Sequence, residues 1–424
     1  MTKLLGPLRR RFLDDTKGQP IFPLAVLSAL YFFDEFDTAA FAVLAPEIQR
    51  SFDLSDNQFV GLLVLNITII VALAVPVGYL ADRVSRVKLV ILSGVLAGTF
   101  SLATGLATSV LFLAVARFGN GLGLLANSPI HNSLIADYYT PDARPTSYAN
   151  HTNAMYLGAI VGPAVAGTTG YFFGWRAAFF LLFIPILVTT ITATKLVEPT
   201  RGGTDGIEEP ETPPRFREAC KTLWGIRTLR RLFLASIPLG AGIIPLVVYA
   251  SLYFDRVYGV SNFGRGVIGA ANAACTYVGV QRGGRATPGW LAKGMGVPLQ
   301  RIGLVFVGVG LGLVAFAAAP TVWLAIAVGL PINFVIGYFF APLAAVQALV
   351  SPARERSLSF SLAAIFLAGG VVLFFLSGLG GIADAHGLRW AMVVLTPFFL
   401  LAGAMAASAG KFVQDDVARA FAPD

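Results

Sequence analysis

The chain has 424 residues, 56% of them hydrophobic and only 13% charged, with a mean hydropathy of +0.73. A soluble protein of this length could not cover its surface with about half the usual share of charges, whereas lipid can cover a chain of this kind. The net charge of +8 is not read as nucleic-acid binding, because the placement of the basic residues accounts for it.

A bilayer span needs about 20 mostly apolar residues, and charge-poor runs bounded by Pro, Gly or charge supply twelve. The opening stretch MTKLLGPLRRRFLDDTKGQP is basic but leads into a run long enough to span. It lacks a small-residue cleavage site, so no removable signal peptide is expected. The first six spans are expected near 20–45, 58–81, 88–108, 109–136, 146–170 and 176–196, and the second six near 230–254, 264–282, 298–319, 321–349, 357–382 and 388–411. Arg265 trims the eighth run, and the charge-free stretch 302–353 is divided at Pro320. The two cysteines, Cys220 and Cys275, fall in a linker and a span, and imply neither a disulfide framework nor a metal site.

With both termini inside, the cytoplasmic segments hold 25 of the 31 basic residues and the outside segments hold five: Arg50, Arg176, Arg256, Arg265 and Arg389. Arg117 is the thirty-first and lies inside a helix. This asymmetry follows the positive-inside rule, and cytoplasmic Lys and Arg face anionic headgroups. Residues 197–229 form the only long polar interior segment, in which GGTDGIEEPETPP leads into RFREACKTLWGIRTLRR. There Phe216, Leu223 and Trp224 alternate with basic residues, as in a helix lying on the membrane surface. The expected organisation is an N-terminal six-helix bundle over 1–196, this linker, and a C-terminal six-helix bundle over 230–424, two repeats flanking a central pathway.

Between the second and third spans stands GYLADRVSRVK, residues 78–88. Gly78 lets two helices approach closely, and Asp82 at a helix end can pair with Arg83, Arg86 or a neighbouring helix terminus. Such a cluster can hold one conformation shut and release it in another. The pattern resembles the signature loop of the major facilitator superfamily, in motif and in position. RFGNGLG (117–123) is similar to that superfamily's helix 4 motif, and LGAIVGPAVAG (157–167) to the Gly-Pro motif of its exporters, with Ala166 where a further Gly is usual. The second-half loop, RGGRATPGWLAK, lacks the Asp-Arg pair.

Over residues 31–196 the chain most resembles the spinster-like lysolipid and sphingolipid transporters. That resemblance rests on an acid in helix 1, then IQRSFDLSDNQ (48–58), GYLADR, and a helix 4 Arg before glycines. It places Asp37 at the family's helix 1 acid, with Asp34 where an Asn is usual. Thr38 replaces a basic residue, and Leu124 stands where a Glu is usual. The resemblance implies an all-α integral membrane protein with 12 transmembrane helices, a major facilitator fold of two pseudo-symmetric six-helix bundles.

The stretch YFFDEFDTAAF, residues 31–41, sets three acids inside a span, which costs several kcal/mol unless they are partnered. Arg117 lies about eight residues deep from the outside and Asp37 about nine, so at about 1.5 Å per residue the two depths match. An Asp37–Arg117 pair facing a cavity is expected, with Asp34 on the same helix face and Glu35 about 100° away toward the rim. A change in water access or in the Arg117 contact would alter the carboxylate's proton affinity, and linkage would tie protonation to conformation. The resemblance implies that role for Asp37 and Arg117. Asn120, Asn127 and His131 on helix 4, with Asn150, His151, Asn153 and Tyr156 on helix 5, could line a polar half-cavity. The second half scatters Asn272, Tyr277, Asn333, Tyr338 and Gln347. A polar half facing an apolar half would suit an amphiphile.

The expected function is therefore a secondary transporter using alternating access, proton-coupled, moving an amphiphilic or lipid-like solute, with export or flipping favoured. The alternative is a proton-coupled importer of a small organic anion with Arg117 as counter-charge. A membrane enzyme or sensor is disfavoured, because the chain shows neither a catalytic motif nor a phosphate-binding loop. No cofactor other than the proton is expected. The partners expected are the bilayer and the solute, with the protein a monomer in the plasma (inner) membrane, both termini cytoplasmic.

Overall fold

The computed structural model describes residues 18–81, 84–124, 129–140, 143–200, 216–352 and 355–420, and every regular element among them is a helix. In the N-terminal half these are α1 (Ile21–Val43), α2 (Ala45–Phe52), α3 (Asp56–Ala81), α4 (Arg86–Leu106), α5 (Val110–Leu124), α6 (Pro129–Tyr138), α7 (Arg144–Phe173) and α8 (Trp175–Ala193). The linker holds α9 (Phe216–Gly225). The C-terminal half has α10 (Arg227–Tyr258), α11 (Asn262–Leu291), α12 (Val297–Ala318), α13 (Val322–Val350), α14 (Arg356–Leu376), α15 (Ile382–His386), α16 (Leu388–Ala409) and α17 (Val413–Ala420). Among the described residues seven helices are long and apolar enough to cross a membrane by length and composition alone. The twelve expected spans are occupied by α1, α3, α4, α5 with α6, α7, α8, α10, α11, α12, α13, α14 and α16.

Two boundaries differ from the sequence reading. The eleventh span ends at Leu376 before a short 3-10 turn, Leu379–Gly381. The eighth helix runs on to Leu291, nine residues past its expected end at 282. Charge was taken there as the end of a span, but a helix needs only backbone hydrogen bonds and continues through Arg282 and Arg285.

The same helix pairs pack in each half: first with fifth (α1–α7, α10–α14), third with fourth (α4–α5, α12–α13) and third with sixth (α4–α8, α12–α16). By contacts the chain falls into two units, one with residues 18–44 and 65–200, the other with residues 45–64 and 216–420. The segment 45–64 thus groups with the C-terminal helices.

In the first unit Leu24, Leu27 and Leu30 of α1 meet Val90 of α4 and Ile130, Leu134 and Ile135 of α6 in one buried cluster, held by close packing rather than by transfer out of water. Tyr139 closes it. Its hydroxyl accepts from the Leu24 N–H at 3.1 Å and donates to the Pro20 carbonyl at 2.7 Å, satisfying a donor that the first turn of α1 leaves open. In the second unit the buried Asp416 of α17 caps α10, accepting from both the N–H and the hydroxyl of Thr228 at 2.7 Å. The linker helix α9 buries Ala219 and Leu223, and stacks Trp224 on Phe366 at 5.8 Å.

Candidate functional site

Within the first unit, α1, α4 and α5 converge on one carboxylate. Asp37 Oδ1 accepts from Arg117 Nη1 at 2.9 Å and from Asn120 Nδ2 at 3.1 Å, and its Oδ2 accepts from the Ser101 hydroxyl at 3.1 Å. Asp37 is 1% exposed and Arg117 2%. The guanidinium also lies 4.2 Å from the centroid of the Phe41 ring, one turn along α1, where the ring face adds electrostatic attraction. The depth arithmetic thus meets a real contact. Asp34 is buried on the same side of α1, one turn before Asp37. Glu35 has its Cβ on the face of α1 that meets α7. A Cβ at Gly158 would fall 3.2 Å from the Glu35 Cβ and 2.3 Å from the Phe32 carbonyl oxygen, so only glycine allows α7 this close to α1.

The other expected residues separate. Asn120 serves Asp37 rather than an open wall. His131 and His151 are buried, edge to face at 5.2 Å, with the Tyr31 ring tilted against His151 at 4.8 Å, which makes them part of the helix packing. Asn153 and Tyr156 are half-buried on α7. Asn333 spends its amide on the Gly329 carbonyl of its own helix at 3.0 Å. Tyr338 lines a wide, open groove in the second unit. Asn127 lies outside the described residues.

Of the expected latch, Gly78 lies in α3, while Asp82 and Arg83 fall outside the described residues. Arg86 is held by two carboxylates that the sequence reading missed. Its Nη1 donates to Asp137 at 2.5 Å and to the Ser133 hydroxyl at 2.8 Å, and its Nε donates to Glu198 at 2.9 Å. Glu198 also accepts from the Val87 N–H at 2.9 Å and the Ser85 hydroxyl at 2.7 Å, at the start of α4. Burial raises the Glu198 pKa, but the Val87, Ser85 and Arg86 donors outweigh it and leave the group below its usual range.

A second charged cluster was also missed. In the second unit Asp56 is fully buried and takes a bidentate contact from Arg256, both bonds at 2.8 Å, plus Gln49 Nε2 at 2.9 Å. Arg265 joins Asp255 at 2.6 Å and Glu47, and Arg50 reaches the same two acids at 3.2 and 2.8 Å. Asp384 accepts from the Asp56 N–H at 3.0 Å. Arg50, Arg256 and Arg265 entered the sequence reading as markers of sidedness or of a span's start, and their partners stand up to 218 residues away. The one available signal was the acid-bearing stretch IQRSFDLSDNQ.

The family model that matches, over residues 27–286, is that of the Major Facilitator Superfamily, and it covers more than half of the chain. The chain belongs to the major facilitator superfamily. It is a multi-pass membrane protein. Among curated relatives of this superfamily member, the 4-hydroxybenzoate transporter PcaK of Pseudomonas aeruginosa is 29% identical over 191 residues, 43% of this chain and 42% of that one. The 3-(3-hydroxy-phenyl)propionate transporter of Escherichia coli is 31% identical over 161 residues, 36% of this chain and 39% of that one. The chain thus matches about two-fifths of the length of these relatives. Among solved structures, a bacterial homolog of the human lysosomal transporter Spinster, inward-facing and unoccupied, aligns with TM-score 0.78 at 21% identity, over 93% of this chain and 98% of that one. A peptide transporter POT in complex with sulfate aligns with TM-score 0.72 at 16% identity, over 94% and 96%. These two likenesses are of fold alone.

Proposed function

We propose that this major facilitator protein is a proton-coupled secondary transporter working by alternating access. Asp37 is the proton site, Arg117 its counter-charge and Asp34 a neighbouring acid. The observation that carries the reading is the buried Asp37–Arg117 pair with its two further donors, Ser101 and Asn120. A proton on Asp37 cancels the charge that holds Arg117, so the contact between α1 and α5 loosens when the site is loaded and re-forms when it empties. Intramembrane ionisable pairs of this kind are the usual parts of proton relays. Arg86, Asp137 and Glu198, with Asp82, Arg83 and Gly78, form the latch that such a cycle opens and closes.

The solute we propose is amphiphilic or lipid-like, such as a lysophospholipid, exported or flipped from the inner leaflet of the plasma (inner) membrane, by a monomer with both termini in the cytoplasm. A second reading is import of a small organic anion. It is favoured by the aromatic acids for which the two curated relatives are named.

Reconstituted protein under an imposed pH gradient tests both readings, with a lysophospholipid panel and 4-hydroxybenzoate as solutes. The expected result is gradient-driven movement of at least one solute that Asp37→Asn and Arg117→Ala each reduce more than tenfold. Movement in both variants equal to the parent would remove the coupling role. Movement of 4-hydroxybenzoate alone would replace the lipid reading with the second one.

A further inference from the structure

We infer that Arg282 and Arg285 of α11 form an anion site that binds the negatively charged head of an organic amphiphile, with Phe334 and Tyr338 of α13 receiving its apolar body. The inference rests on the transporter reading and names the solute chemistry, at a place separate from Asp37 and Arg117. Because α11 continues to Leu291, Arg282 and Arg285 lie within the helix rather than beyond it. Buried or partly buried arginines elsewhere are paired. Arg117 is paired with Asp37, Arg256 with Asp56, and Arg265 with Glu47 and Asp255. Among the described residues no carboxylate meets Arg282 or Arg285, and both are exposed.

What they do meet is a wide, open groove lined by Val278, Arg282, Arg285, Ala286, Phe334 and Tyr338. Its geometry is fixed by backbone contact. A Cβ at Gly283 would fall 2.1 Å from the Tyr338 carbonyl oxygen, so α11 and α13 touch beside the two arginines. Tyr338 stands between Phe334 at 5.9 Å and Trp290 at 5.6 Å. The neighbouring cation, Arg301, is already engaged on the Trp290 ring at 4.9 Å, whereas Arg282 and Arg285 are left facing the space.

Two guanidiniums three residues apart on one helix repel each other, and an anion between them removes that repulsion. Their planar forks suit the paired oxygens of a carboxylate or a phosphate. The aromatic and aliphatic wall offers nothing to a bare inorganic ion but fits a ring or an acyl chain. The shared chemistry is therefore an anionic oxygen group on an apolar body.

Binding to the purified full chain, read by scintillation proximity, separates the sources. The probes are 4-hydroxybenzoate and oleoyl lysophosphatidylglycerol, with 4-hydroxybenzamide and monooleoylglycerol as their neutral counterparts. The parent is expected to bind at least one anionic probe tenfold or more tightly than its counterpart, and Arg282→Gln with Arg285→Gln to abolish that preference. Preference for the benzoate assigns an aromatic acid, and preference for the lysolipid assigns a lipid head. Should the glutamine variant fail to fold, Arg282→Lys with Arg285→Lys decides. A threefold or greater loss supports bidentate recognition, and unchanged affinity overturns it. Equal binding of charged and neutral probes by the parent, or an undiminished preference in the folded glutamine variant, also overturns the site. Failure of gradient-driven movement in liposomes would instead strike the transporter mechanism and leave this binding result standing.

Discussion

At the residue level, the two charges of the Asp37–Arg117 pair are not equivalent, because a carboxylate can shed its charge by taking a proton and a guanidinium cannot. Removing one member of a buried pair costs about 3–5 kcal/mol. Asp37→Ala, which strands Arg117 beside Phe41, is expected at the upper end of that range and Arg117→Met at the lower. Thermal unfolding of the two variants at pH 7 checks the order, and a less stable Arg117→Met would reverse the argument. Glu198 gives a pH-dependent counterpart. Its folded pKa is depressed below the ordinary 4.5, so its contribution is complete above that value and is lost as pH falls through the lower folded value. Melting curves of the parent should therefore drop more steeply below pH 4.5 than those of Glu198→Gln.

At the element level, the unexpected feature is the segment 45–64, whose α2 and first turns of α3 group with α10, α11 and α15 through a network of buried charge. Asp56 is its centre, fully buried yet satisfied by Arg256 and Gln49. A buried acid stripped of such partners is strongly destabilising, so Arg256→Gln should release the segment while leaving α4 to α8 intact. Amide hydrogen exchange should rise at least tenfold over residues 53–60 and remain near parental values in α4 and α8. A uniform rise would mean global unfolding rather than local release. The α1–α7 contact makes the opposite demand, for the absence of a side chain. Gly158→Val would drive a Cβ into the Phe32 carbonyl and force the helices apart, costing about 1–3 kcal/mol or more by overpacking. Yield of folded protein in detergent is the simplest readout.

At the scale of the whole molecule, the spans were legible because lipid demands long apolar runs, and run length survives in sequence. The Asp37–Arg117 contact was legible for a similar reason, since depth can be counted along a helix from either end. Neither device locates a partner lying beyond the spans. Asp137 and Glu198 for Arg86, or Asp56 for Arg256, follow from how helices meet, which span counting does not address. The end of α11 is not legible because charge marks the limit of an apolar run and not of a helix, which continues through Arg282. The likeness to spinster-like proteins reaches the fold, and the solute stays a matter of chemistry at individual side chains. One earlier detail bears on handling the protein. The start of α10 is plugged by Asp416, eight residues before the final one, so trimming the tail to tidy a crystal or a fusion joint is far from harmless. Cutting at residue 411 would uncork the opening turn of a central helix, and such a clipped protein should melt several degrees below one shortened only at 421.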